Sequence, residues 1–137
     1  MNSHLNKVPQ WAMFRSTTPT AAKGVVPLVL RGQDASNSFT VSGGVVDLLV
    51  GRTYIISAGL PKDTVTQLKS IGISRSIDGG ATWSLIWGVG GLSEVAVGTA
   101  SGTSVTDVYT TTVPTKLRLT ASTNGVVAGA WLYLETK

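Results

Sequence analysis

"KLRLTASTNGVVAGAWLYLE" runs from Lys116 to Glu135, and its alternation decides the class of fold. In its first part Leu117 and Leu119 point one way, and Lys116 and Arg118 the other. In its last part Ala130, Leu132 and Leu134 share one side, while Trp131, Tyr133 and Glu135 share the opposite one. A period of two is the mark of a half-buried strand. Between the two runs stands "STNGV", whose Asn124–Gly125 pair is a strong hairpin signal. The last two strands are therefore expected to pair antiparallel. Trp131 and Tyr133 lie away from the leucines, where a single sandwich offers no cover. The expected cover is either the N-terminal segment or a second subunit, and a contact between copies is preferred.

The same rhythm continues outward through the chain. Further strand candidates are residues 25–31, 38–41, 45–50, 53–60, 71–77, 82–88, 93–98 and 106–111. Turn residues separate them, among them Ser42-Gly43-Gly44, Gly51, Asp78-Gly79-Gly80 and Pro114. Only 13% of residues are charged, and Val, Thr and Ile are frequent, so no long amphipathic helix is expected. At 137 residues one domain with a real core is the natural size. Together these features predict an all-β, antiparallel β-sandwich.

Cysteine is absent, which excludes a disulfide framework and thiolate chemistry and fits maturation in a reducing cytoplasm. The opening "MNSHLNKVPQ" lacks the apolar core of a signal peptide. No apolar run reaches the ~18 residues of a membrane-spanning helix, so no membrane partner is expected.

The net charge of +4 is unevenly placed. Residues 1–33 hold Lys7, Arg15, Lys23 and Arg31 and no acid, while the remainder is neutral. This predicts a basic N-terminal arm over residues 1–24 and a sandwich domain over 25–137. Four charges are too sparse for a nucleic-acid stripe. Two readings remain. In the preferred one the arm docks on a protein, with Trp11, Met13 and Phe14 as anchors and Lys7, Arg15 and Lys23 steering. In the other it is a first strand that completes the sandwich, with Trp11 and Phe14 in the core.

Catalytic chemistry finds little to stand on. His4 is the one histidine, and without cysteine the usual zinc sites are excluded. No calcium loop, nucleophile elbow or phosphate loop is present. No catalytic, cofactor-binding or metal-binding residue is expected, and no cofactor. A glycosidase-type pair of distant carboxylates is the one arrangement that sequence leaves open. Asp47, inside the apolar run "VVDLLV", is expected at an outward position or in a partner-facing ion pair.

"SIDGGATW" (Ser76 to Trp83) resembles the Asp-box hairpin of sialidase propellers, through Ser76, Asp78, Gly80, Thr82 and Trp83. In those families the box is structural, and a propeller needs several copies where this chain has one. Its residues explain themselves as a turn. Gly79 and Gly80 accept positive φ, Asp78 takes hydrogen bonds from the loop, and Trp83 lies over it as a lid.

"GRTYIISAGL" (51–60) and "LRLTASTNGVVAGAWLYLETK" (117–137) resemble the jelly-roll sandwiches of tailed-bacteriophage virion proteins. Complement-type and tumour-necrosis-factor-type trimers share that general shape. The resemblance implies a non-enzymatic capsid decoration (cement) protein on the virion surface, made in the host cytoplasm. Its partners would be the major capsid protein and itself, as a homodimer or homotrimer through Trp131 and Tyr133. The alternative is a receptor-binding tip of a tail fibre or spike. A sialidase-like or lectin-like sugar binder using Trp83 and Trp87 is a third class.

Overall fold

Along residues 11–16, 45–48, 115–121 and 131–136 the side chains alternate between the interior and the surface, and the interior sets coincide. A computed structural model describes residues 9–61, 70–86, 103–122, 125–126 and 128–137. The strands are β1 (Trp11–Ser16), β2 (Gly24–Val25), β3 (Leu28–Gln33), β4 (Val41–Ser42), β5 (Val45–Leu48) and β6 (Thr53–Leu60). After these come β7 (Ile71–Ser76), β8 (Ser84–Leu85), β9 (Thr103–Thr110), β10 (Thr115–Ala121) and β11 (Trp131–Thr136). Two antiparallel sheets face each other. The first has the order β3-β1-β11-β6-β9, and the second β4-β5-β10-β7-β8, with β2 also paired to β10. Between them lie Phe14, Phe39, Tyr54, Ile56, Ile73, Leu117, Leu119, Leu132 and Leu134, all essentially inaccessible. This is the antiparallel sandwich that the alternation predicts, and it is jelly-roll-like, as the resemblance implies.

Three expectations change at the level of pairing. The last two strands do not form a hairpin. β10 pairs with β7, β5 and β2 in the second sheet, while β11 lies between β1 and β6 in the first. Thr20 and Val126 form an isolated bridge, and Ser16 and Ala130 share a backbone hydrogen bond of 2.8 Å just before β11 begins. The Asn-Gly signal does not choose the partner strand. Asn124 itself lies outside the described residues.

The run 25–31 is likewise not one strand. β2 pairs with β10, whereas β3 pairs with β1, and Pro27 stands between them. Proline has no N–H to continue a ladder, so the chain changes sheet there.

The arm boundary at residue 24 also moves. β1 is an interior strand of the first sheet, flanked by β3 and β11, with Ala12 and Phe14 fully buried. Its alternation, partly exposed at Trp11 and Met13 and buried at Ala12, Phe14 and Ser16, is that of a central half-buried strand. The segment "WAMFRS" is too short for its period to stand out beside the flanking prolines. A tail lacking residues 1–23 would remove this strand, so the body does not begin at Val25. The expected strand at 93–98 lies outside the described residues.

Candidate functional site

The outer face of the first sheet is apolar and aromatic at its centre. Because Ala12, Phe14, Leu132, Leu134, Tyr54 and Ile56 face inward, their neighbours Trp11, Met13, Trp131, Tyr133 and Ile55 face outward. Antiparallel register places these side by side. Met13 is opposite Tyr133, Tyr133 opposite Ser57, and Ile55 opposite Val108. The Trp11 and Tyr133 rings stack with centroids 6.4 Å apart and planes inclined by 24°. Arg15 is opposite Trp131, and Glu135 opposite Trp11, which sets one charge of each sign at the border of the patch. Val108 on the edge strand is 51% exposed. The Tyr133 hydroxyl is pushed up from its ordinary pKa by burial and by the nearby Glu135 carboxylate. It therefore stays a neutral donor at physiological pH.

Of the residues expected to bind a partner through the arm, Trp11, Met13 and Arg15 join Trp131 and Tyr133 on this face. Phe14 does not. It points into the core, because one residue along a strand reverses the face. Lys23 is exposed beside β2 in the second sheet, away from this patch. Lys7 lies outside the described residues. Sequence reading passed over Ile55 and Val108. The signal for Ile55 was available in "TYIISA", where it alternates with Tyr54 and Ile56.

The hairpin joining β7 to β8 holds the Asp-box residues in one network. Ser76 Oγ donates to Asp78 Oδ1 at 2.7 Å and accepts from Gly80 N–H at 2.8 Å. Thr82 donates its N–H to Asp78 Oδ1 at 2.9 Å and its hydroxyl to Asp78 Oδ2. Gly79 and Gly80 have φ of 74° and 97°, which a Cβ would strain. The Trp83 indole N–H donates to Gly80 O at 3.1 Å, and the ring lies 3.9 Å from the Arg118 guanidinium carbon. Trp83 is thus committed to the outer face of the second sheet through Arg118. Trp87 lies outside the described residues. Asp47 sits on the outer side of β5, with its carboxylate 2.7 Å from Lys116 Nζ and within reach of the Thr40 hydroxyl at 3.2 Å. Its ion pair is internal to the chain.

Among the described residues, no group of three or more His, Asp or Glu side chains is placed to hold a metal ion. No helix of the described residues is long and apolar enough to cross a membrane. No protein-family model and no curated protein matches the sequence. Solved structures do match the backbone. Murine APRIL at pH 5.0 superposes with a TM-score of 0.72 at 11% identity, over 95% of this chain and all (100%) of that one. Eiger TNF from S. frugiperda superposes with a TM-score of 0.66 at 9% identity, over 95% of this chain and 94% of that one. The fold is a TNF-like jelly roll. The likeness extends to the backbone of nearly the whole chain and, at such identity, to fold alone.

Proposed function

We propose that this chain is a non-enzymatic structural protein that acts as a homo-oligomer, assembled through the outer face of its first sheet. The observation that carries this reading is the continuous set Trp11, Met13, Ile55, Trp131 and Tyr133 on that face. Large aromatic side chains each bring ~150–250 Å² to a contact, and burial stabilises it by about 25 cal/mol per Å². The half-exposed Trp11–Tyr133 stack offers a flat apolar centre with Arg15 and Glu135 beside it, the usual arrangement of an apolar core and a polar rim. The fold likeness to TNF-type proteins supports a module that works by binding rather than by catalysis.

The narrower reading is decoration of a bacteriophage capsid through the major capsid protein. It is supported by the resemblance of residues 51–60 and 117–137 to virion jelly rolls. Sedimentation tests the oligomer. The wild-type chain is expected above the mass of one copy, and Trp131→Ser with Tyr133→Ser is expected to give a folded monomer. A double variant that keeps the wild-type mass would overturn the assignment of this face. In purified particles, density on the shell supports decoration, and density at the tail tip supports the receptor-binding alternative.

A further inference from the structure

The centre of the first sheet's outer face is a ladder of three rungs between β1 and β11. Arg15 stands opposite Trp131, Met13 opposite Tyr133, and Trp11 opposite Glu135. The two tryptophans take one pair of opposite corners. The other pair of corners holds a cation and an anion. Arg15 is exposed and Glu135 partly exposed, and among the described residues neither side chain has a hydrogen bond or an ion pair. They do not reach each other within one copy. Two rungs separate them along the strands, four residues at ~3.4 Å each, or about 14 Å. An apolar patch with opposite, unpaired charges at its two ends is complementary to itself.

The ladder also shows how two such patches fit. An antiparallel pair of strands has a local twofold axis through its middle rung, normal to the sheet. Here that rotation exchanges Trp11 with Trp131, Met13 with Tyr133 and Arg15 with Glu135. Large side chains replace large ones, and only the sign of the charge is reversed. A second copy turned over onto the patch therefore fits by bulk in either direction along the strands, and charge chooses between the two. With like ends together, Arg15 lies beside Arg15 of the partner subunit, and the two Glu135 carboxylates lie together at the far end. A ring of copies about an axis along the strands gathers the same like charges at one level. With the ends reversed, each Arg15 lies beside Glu135 of the partner subunit. Like charges facing each other oppose a contact, whereas opposite ones favour it and fix its register. Sheets packed face to face stand ~10 Å apart, a gap that Arg and Glu side chains span from the two sides.

We propose that two copies join face to face about a twofold axis lying across the strands, with Arg15 of each paired to Glu135 of the partner subunit. Each residue of such a contact meets its counterpart reciprocally, as twofold symmetry requires, so the ion pair occurs twice. The proposal rests on the reading of the aromatic face as a contact between copies, and adds to it the direction of the contact and the number of copies.

Sedimentation of the full chain and of charge variants tests it, with circular dichroism to verify the fold. Wild type is expected at the mass of two copies. Arg15→Glu and Glu135→Arg each turn both pairs into like charges and should weaken dimerisation about tenfold or more. The double variant Arg15→Glu, Glu135→Arg restores both pairs with their signs exchanged, and should dimerise within about threefold of wild type. Single variants that associate as tightly as wild type, a double variant no tighter than either single one, or a wild-type mass of three copies would each overturn the pairing. Trp131→Ser with Tyr133→Ser separates that failure from failure of the face itself. If this variant is a folded monomer in those cases, the aromatic face stands as a contact and its direction is wrong. If it keeps the wild-type mass, or if wild type has the mass of one copy, both readings fall.

Discussion

Asp78 accepts from Thr82 twice and from Ser76 once, in the seven-residue connection (77–83) between β7 and β8. The Thr82 hydroxyl, then the Thr82 N–H, then the Ser76 hydroxyl hold its carboxyl down to a pKa of about 2, from an ordinary 3.8. A folded-state pKa below the unfolded one means that the ionised form stabilises the fold. That contribution is complete above 3.8 and is lost as pH falls toward about 2. Asp78→Ala should therefore melt below wild type at neutral pH, and the gap should close through that acid window. A gap that stays constant from neutral pH down to pH 2 would mean that the turn does not draw on the ionised carboxylate. The residue scale was the most legible in the sequence, because each member of "SIDGGATW" acts on neighbours within a few positions. Its Trp83 was legible only in part. The lid was foreseeable, but Arg118 beneath it arrives from a strand 35 residues on (118 − 83 = 35).

At the scale of strands, β6 was read to the residue, since an eight-residue alternation bounded by Gly51 and Pro61 leaves little freedom. β1 was not. Its six residues carry a full alternation, yet Pro9 and Pro19 and the surplus of positive charge nearby favoured an arm. The decisive fact is long-range: β1 pairs with β3 on one side and with β11, over 100 residues away, on the other. Phe14 is the test residue, being fully buried between the sheets. Phe14→Ala should destabilise the fold by about 3–5 kcal/mol, as for other large buried aromatics cut to alanine. Urea unfolding measures this. A loss below about 1 kcal/mol would return the segment to the surface.

At the scale of the molecule, each sheet has one face in the core, and the outer face of the first sheet is where the aromatic residues gather. If that face joins copies, folding and assembly are linked, and stability depends on protein concentration. The midpoint of thermal unfolding should rise as the wild-type chain is concentrated, while the Trp131→Ser, Tyr133→Ser variant should melt at one temperature throughout. Calorimetry over a hundredfold concentration range reads this directly. A wild-type midpoint that does not move would count against a linked oligomer.

The sequence alone determined the all-β class, the inward and outward sides of most strands, and the turn from Ser76 to Trp83. These follow from a period of two and from contacts a few residues apart, which are properties of a local stretch. Tertiary structure decided which strand pairs with which. Strands β10 and β11 sit in different sheets although an Asn-Gly pair stands between them in the sequence, because β10 pairs with β7 and β11 with β6, both far away along the chain. It also decided which distant side chains meet. Trp11 meets Tyr133, and Arg75 meets Tyr109, across separations of 122 and 34 residues (133 − 11 and 109 − 75). No local pattern encodes such meetings, since they depend on the order of strands in the sheets and on how the two layers face each other.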